Sequence, residues 1–204
     1  MRTILGMARL AVLAGALALT GCVTAENSLS ANDIAGMKLA GVTVSYAPDA
    51  RIVWDDGIRA YAASKGIVDD MATATNTPEG KAYVRNLLAS RVKGDVEQQM
   101  VGQLNGTRPV RLEVVVHSFM IASAVQRIVI GGGHGMTADA NLVDARTGAV
   151  ILKHPNLMAN VAAAGGLVGT AVQSAIEAAA KVDNTDRVAS TWGATYRDWL
   201  LRRA

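Results

Sequence analysis

A single cysteine, Cys22, stands among the 204 residues, so no disulfide can brace the fold and no thiol cluster can hold zinc. Stability has to come from packing. Aromatic residues make up 4% of the chain and histidines number three, which leaves little material for a base-stacking platform or a histidine-rich metal centre. An excess of one charge is missing too: 20 basic residues face 17 acidic ones, and loss of Arg2 and Arg9 with an N-terminal leader would leave 18 against 17. A chain so close to neutral lacks the electrostatic footprint of a nucleic-acid binder, and no nucleic-acid partner is expected. Its length suits one domain with a sizeable core rather than two.

What is present starts at the N-terminus. Arg2 and Arg9 precede the apolar run Leu10–Leu19, which at ten residues is a leader's core and too short for the roughly 20 residues of a membrane span. Leu19-Thr20-Gly21-Cys22 follows, and this order resembles the lipobox of bacterial lipoproteins. The resemblance implies cleavage before Cys22 and acylation of its sulfur and new amino terminus, with Cys22 as lipidation site rather than nucleophile. The alternative is an ordinary secretory leader with an incidental cysteine. Two or more acyl chains hold a protein on a bilayer stably where one leaves it exchanging. Val23, where lipoproteins kept in the inner membrane usually carry Asp, implies the outer membrane, facing the periplasm.

The domains expected are a leader over 1–21, a flexible polar tether over 22–36, and one α+β domain over 37–204. Leu39, Val42 and Val44 predict a strand over 39–46, ended by a turn at Pro48-Asp49. Ile52-Val53-Trp54 precedes Asp55 and Asp56, which suit a helix start, with Gly66 as its cap. Thr77 as N-cap and Pro78 in the first turn open the clearest helix, where Val84, Leu88, Val92, Val96, Met100 and Leu104 recur at helical spacing to 104, with Asn105-Gly106 as its end. Gly94 and Gly102 weaken that helix and predict a close approach to the sheet.

Alternation predicts strands over 108–119 and 136–142, a tight turn at Asp144–Gly148, and a third strand over 150–161 interrupted at Pro155. Two C-terminal helices are expected, over 164–181 and 188–201, with Thr185 as a cap. The fold class is therefore α+β, a mixed, mostly antiparallel sheet of about four strands covered by a long helix and C-terminal helices.

No catalytic constellation emerges. Gly131–Gly135 with Ala138 satisfies Gly-x-Gly-x-x-Ala, but a strand pattern follows where a dinucleotide site needs a helix, so the segment reads as a flexible loop. His117, His134 and His154 have no helical pair spacing. Asp139 and Asp144, five apart on one strand, fall on opposite faces. Ser118 and Ser123 lack a nucleophile elbow. No enzyme activity, cofactor or metal is expected. Small residues around Gly165, Gly166 and Gly169 permit close helix packing, and make a membrane-active oligomer using 162–180 one alternative function. A small-ligand-binding lipoprotein using the 120–135 loop, with a polar pocket at His134, is another.

The lipobox, Ile52-Val53-Trp54, the strand Arg108–Phe119, the glycine loop and Asp144-x-x-Thr147-Gly148 together resemble a group of alphaproteobacterial envelope lipoproteins of uncharacterised activity. More remotely, the order of strand, long helix and meander is similar to accessory lipoproteins of the curli-secretion and penicillin-binding-protein-activator type. The resemblance implies fold and address, and an accessory or assembly role: a non-catalytic envelope lipoprotein bound to the bilayer through acylated Cys22 and to an envelope protein or its own copies. Replacement Cys22→Ala is expected to move the protein out of the membrane pellet. Retention after that change and a carbonate wash would instead implicate the glycine-rich segment.

Overall fold

A computed structural model describes residues 25–129, 133–162 and 183–203. The expected leader, Cys22, Gly131 and Gly132 of the glycine run, and the helix expected over 164–181 lie outside the described residues.

Within them the chain runs α1 (Ala31–Ala35), β1 (Met37–Val53), α2 (Asp55–Lys65), α3 (Met71–Thr75), α4 (Pro78–Met100), β2 (Arg108–Met120), α5 (Ala124–Val129), β3 (His134–Asp144), β4 (Val150–Val161) and α6 (Asn184–Leu200). The strands form one sheet in the order β1-β2-β3-β4. The pair β1/β2 is parallel and the other two pairs are antiparallel, so the α+β class and the mixed, mostly antiparallel sheet of four strands are as expected. Alternation sends Val110, Leu112, Val114 and Val116 of β2, with Met136, Ala138, Ala140 and Leu142 of β3, to one face, where all are essentially inaccessible to solvent. That face is covered by Val84, Leu88, Val92, Val96 and Met100 of α4 and by Val188, Trp192, Tyr196 and Leu200 of α6, in a single core.

The caps explain the element boundaries. Thr77 Oγ1 accepts from Gly80 N at 3.1 Å and Pro78 stands at the start of α4. Gly66 closes α2 in the left-handed region at φ 67°. At the start of α6 the capping side chain is Asp183, which accepts from Thr185 N at 2.8 Å, rather than the expected Thr185. Thr185 is buried instead, and its Oγ1 accepts the indole proton of Trp54 at 2.9 Å.

Four further expectations are corrected. Strand β1 does not end near residue 46. Ala47–Ala50 arch out between Tyr46, paired with Val116, and Arg51, paired with Ser118, after which pairing resumes to Val53 and Met120. Proline and aspartate mark the bend correctly, but pairing beyond it continues the strand. Helix α4 stops at Met100 rather than 104, and Gly102 turns the chain at φ 70°. Nothing lies within 4 Å of a Cβ built on Gly94, so no close approach to the sheet explains that glycine. The tight contacts are elsewhere: a Cβ on Gly80 would meet Thr75 O at 2.5 Å, and one on Gly193 would meet Val96 Cα at 3.2 Å where α6 crosses α4.

The fourth concerns the chain before β1. Residues 25–36, expected within the tether, are fastened to the body. Trp199 Nε1 donates to Ala25 O at 2.9 Å, and Asn27 Nδ2 donates to Leu200 O at 2.8 Å. Arg202 Nη2 donates to Asn27 O at 2.8 Å. Ser30 and Asp33 make reciprocal cap bonds at 3.0 and 3.1 Å around α1, whose Ile34 is buried in the core. Polar composition there serves side-chain bonding to α6 rather than solvation of a free chain.

Two glycines of α4 separate propensity from packing. Gly94→Ala is expected to raise unfolding stability by about 0.5–1 kcal/mol, since the exposed site has room and alanine loses less chain entropy. Gly80→Ala is expected to lower it by about 1–3 kcal/mol through overlap with the Thr75 backbone. Urea unfolding of the two variants gives opposite shifts in midpoint.

Candidate functional site

At the end of the sheet where β1 and β2 finish, the chain builds an open groove of about 440 Å³. The arch of β1 supplies Ala50 and the re-paired strand beyond it Ile52, α2 supplies Ile58, α3 contributes Thr73 and Thr75, and α4 contributes Lys81, Val84 and Arg85. Trp54 lies at its base, held edge-on to Phe119 at 6.3 Å between ring centroids. Lys81 and Arg85 have no carboxylate within ion-pair distance among the described residues. Arg85 instead lies 5.4 Å from the centre of the Tyr46 ring, whose hydroxyl donates to Arg85 O at 2.6 Å. An apolar trough with two cations at one side can take an amphiphile with an anionic group.

Beside it, where α4 meets the start of α6, Arg91 gathers acids that are remote in sequence. Its guanidinium bonds the carboxylate of Asp183 and reaches Asp186 Oδ1 at 2.7 Å, while its Cζ lies 6.0 Å from the Trp54 ring centre. Asp95 stands one turn further along α4. Burial, then the like charge of Asp186, push its carboxyl up to about 6 against the pull of Arg91. Its Oδ2 is buried without a hydrogen-bond partner among the described residues.

The histidines do not converge. His134 is buried at the start of β3, where its Nδ1 accepts from Ala122 N at 3.0 Å and ties the α5 segment to the sheet. It is part of the packing and lines no groove described here. His117 Nε2 lies 2.9 Å from Asp139 Oδ1 on the outer face of the sheet. His154 stacks edge-on against Trp199 at 4.6 Å. Among the described residues no three metal-ligating side chains come together. Asp139, in the middle of β3, accepts from Asn156 N at 2.8 Å, whereas Asp144, at the last residue of β3, is held below the usual carboxylate range by the N–H groups of Thr147 and Arg146. The two aspartates are therefore apart, as their odd spacing implies. Ser118 sits within β2, and Ser123 caps α5.

Residues 120–135, expected as a loop, contain the two-turn helix α5. Ser123 N donates to Gln126 Oε1 at 2.9 Å and Gln126 N to Ser123 Oγ at 3.2 Å, a capping box readable as Ser-x-x-Gln. Val125 and Val129 of this helix are 69% and 73% exposed, and on the same end of the sheet Met120, closing β2, and Met158 of β4 are 43% and 58% exposed. Four uncovered large apolar side chains at one end are the most distinctive surface feature among the described residues. Among those residues, no helix is long and apolar enough to cross a membrane.

Because the folded state raises the Asp95 pKa from 3.8 to about 6, it binds a proton more tightly than the unfolded chain, so stability from this group is fully present below 3.8 and is lost as pH rises from there through about 6. Asp95→Asn is expected to remove that loss. Allowing for partial solvent screening, the gain at neutral pH is about 1 kcal/mol, or about 2–4 °C in Tm, and vanishes near pH 4. Calorimetry at the two pH values measures it.

No curated protein matches the chain. Among solved structures, a candidate lipoprotein from Caulobacter crescentus CB15 is similar at 17% identity over 56% of this chain and 81% of its own, with a TM-score of 0.33. The PelC dodecamer from Paraburkholderia phytofirmans is similar at 11% identity over 77% and 87%, with a TM-score of 0.32. Lipoprotein GNA1162 from Neisseria meningitidis is similar at 15% identity over 71% and 97%, with a TM-score of 0.24. Residues 80–203, from the first turn of α4 to the end of α6, match a family profile, and the chain belongs to that family, described as a family of unknown function (DUF6778).

Proposed function

We propose that the chain is a non-catalytic lipoprotein of the bacterial envelope, held through acylated Cys22 on the periplasmic face of the outer membrane, which acts by holding a protein partner or a second copy of itself. The observation that carries the reading is the exposed group Met120, Val125, Val129 and Met158. Methionine and aliphatic side chains left in water at one end of a sheet are what a protein interface covers, and the uncharged side chains cost little to desolvate. The Leu19–Cys22 motif supplies the anchor and the compartment.

A second reading rests on the groove. Its volume is within the range of small-molecule sites, and Lys81 and Arg85 lack acidic partners among the described residues, so an anionic amphiphile is the chemistry it fits. Native mass spectrometry of detergent-extracted protein separates this reading, since a retained amphiphile would be lost on Lys81→Glu with Arg85→Glu.

Photocrosslinking in living cells tests the leading reading. A crosslinker placed at Val125 or Met158 is expected to give a discrete higher-mass band, while one at Thr147, at the far end of the sheet, gives none. The double change Val125→Asp with Val129→Asp is expected to weaken the association at least tenfold. Equal labelling at all three positions, or none at Val125 and Met158, would remove the interface.

A further inference from the structure

The docked N-terminal segment changes what an anchor at Cys22 would do, and the inference here rests on the acylation proposed above. A free tether from Cys22 to Gly36 would be 15 residues long and would let the body wander by about 20 Å, the root-mean-square reach of a flexible chain of that length. The observed bonds remove most of that freedom. Ala25 is fixed by the Trp199 indole at 2.9 Å, and Asn27 by the backbone oxygen of Leu200 at 2.8 Å. Only three peptide steps then separate Cys22 from the first fastened residue, a span of at most about 11 Å. The headgroup layer alone occupies about 5–8 Å of each leaflet. A glyceride on Cys22 has its acyl chains below that layer, so the fastened residues are held within a few Å of its outer edge.

We propose that the C-terminal end of α6, together with the segment beginning at Ala25, is a membrane-seating surface whose occupant is the phospholipid headgroup layer. Chain length sets the distance and side-chain chemistry suits the occupant. Arg202 and Arg203 are exposed there, and Arg202 is held in place by the carbonyl oxygens of Asn27 and Leu29, which leave its charge uncancelled. Arg203 Nη1 donates to the neutral Gln103 at 2.9 Å. Arg197 nearby is neutralised by Asp198 at 2.8 Å, and the exposed acids of the segment are Glu26 and Asp33, the latter engaged by Ser30, so the guanidinium groups of Arg202 and Arg203 face phosphate against two carboxylates. Trp199, half-buried with its indole proton satisfied, is of the residue type that settles at a membrane interface. The opposite end of the sheet, with Met120, Val125 and Val129, is then directed away from the lipid. An anchor on a long leash would present every face of the body in turn, whereas this one presents a single face.

The lone native cysteine makes the test clean, because acylation consumes it and a single engineered thiol can be labelled. Full-length acylated protein is reconstituted in vesicles of phosphatidylethanolamine and phosphatidylglycerol doped with a nickel-chelating lipid. Nitroxides are placed at Ser28→Cys, beside the proposed seat, and at Asp69→Cys, in the α2–α3 connection at the far end. Nickel-induced relaxation is expected to be several-fold stronger at position 28. Inserting ten Gly/Ser residues between Thr24 and Ala25, ahead of the fastened residues, is expected to abolish the difference. Acylated protein with equal relaxation at both sites would overturn the seating surface and leave the lipid anchor standing. An unmodified Cys22 by mass spectrometry would overturn both.

Discussion

The stripe of α6 that carries Val188, Trp192, Tyr196 and Leu200 is the constraint on which the other parts depend. All four are at most 1% exposed, and burial of a large apolar side chain contributes about 1.5–3 kcal/mol. Their sum is several kcal/mol, comparable with the whole net stability of a domain, about 5–15 kcal/mol. With no disulfide to help, α6 and α4 together close that face of the sheet. Helix α4 packs most closely on the β1 side, and α6 fills the space over β3 and β4, lying so close to α4 that a Cβ at Gly193 would stand 3.1 Å from the Gln99 side chain.

The same helix settles where the indole protons go. A buried indole N–H left unpaired costs about 1–3 kcal/mol, so each tryptophan needs an acceptor from another part of the chain. Trp192 donates to Leu157 O at 3.0 Å and joins α6 to β4, Trp54 donates to Thr185 and joins the start of α2 to the start of α6, and Trp199 donates to Ala25 and joins the two termini of the described chain. Satisfying three donors thus sets three long-range contacts. The last of them turns a stretch of polar composition into a docked segment, because Asn27 and Ser30 have partners on α6 and in α1.

Much of this architecture is legible from period and caps. The helical recurrence from Val84 to Met100 and the alternation from Val110 to Val116 identify α4 and β2, because burial on one face forces those spacings whatever the partner. The short helices α1 and α5 were readable too, in Ser30-x-x-Asp33 and Ser123-x-x-Gln126, but five or six residues carry no apolar period and composition alone resembles a loop. The arch at Ala47–Ala50 shows the limit of turn chemistry, since a local bend says nothing about whether pairing resumes beyond it. The groove and the Arg91 cluster were not legible. Arg91 and Asp183 are 92 residues apart, and their meeting follows from α6 packing on α4. Helical periodicity implies a buried stripe on each without fixing their register.

A carboxyl pushed towards neutral pH is a common mark of chemistry, and Asp95 invites that reading. Its surroundings argue for a by-product of packing. The walls of the groove beside Trp54 do not include it. The acids around it have structural work: Asp183 caps α6 and Asp186 sits in the first turn of that helix, where a negative charge favours the dipole. Arg91 answers both and comes with α4. Asp95, one turn along from Arg91, then lies beside acids that α6 needs for its own start, with a cation already engaged twice. Its raised pKa measures the cost of bringing two helix ends together, and the docking of α6 over the sheet is what offsets that cost.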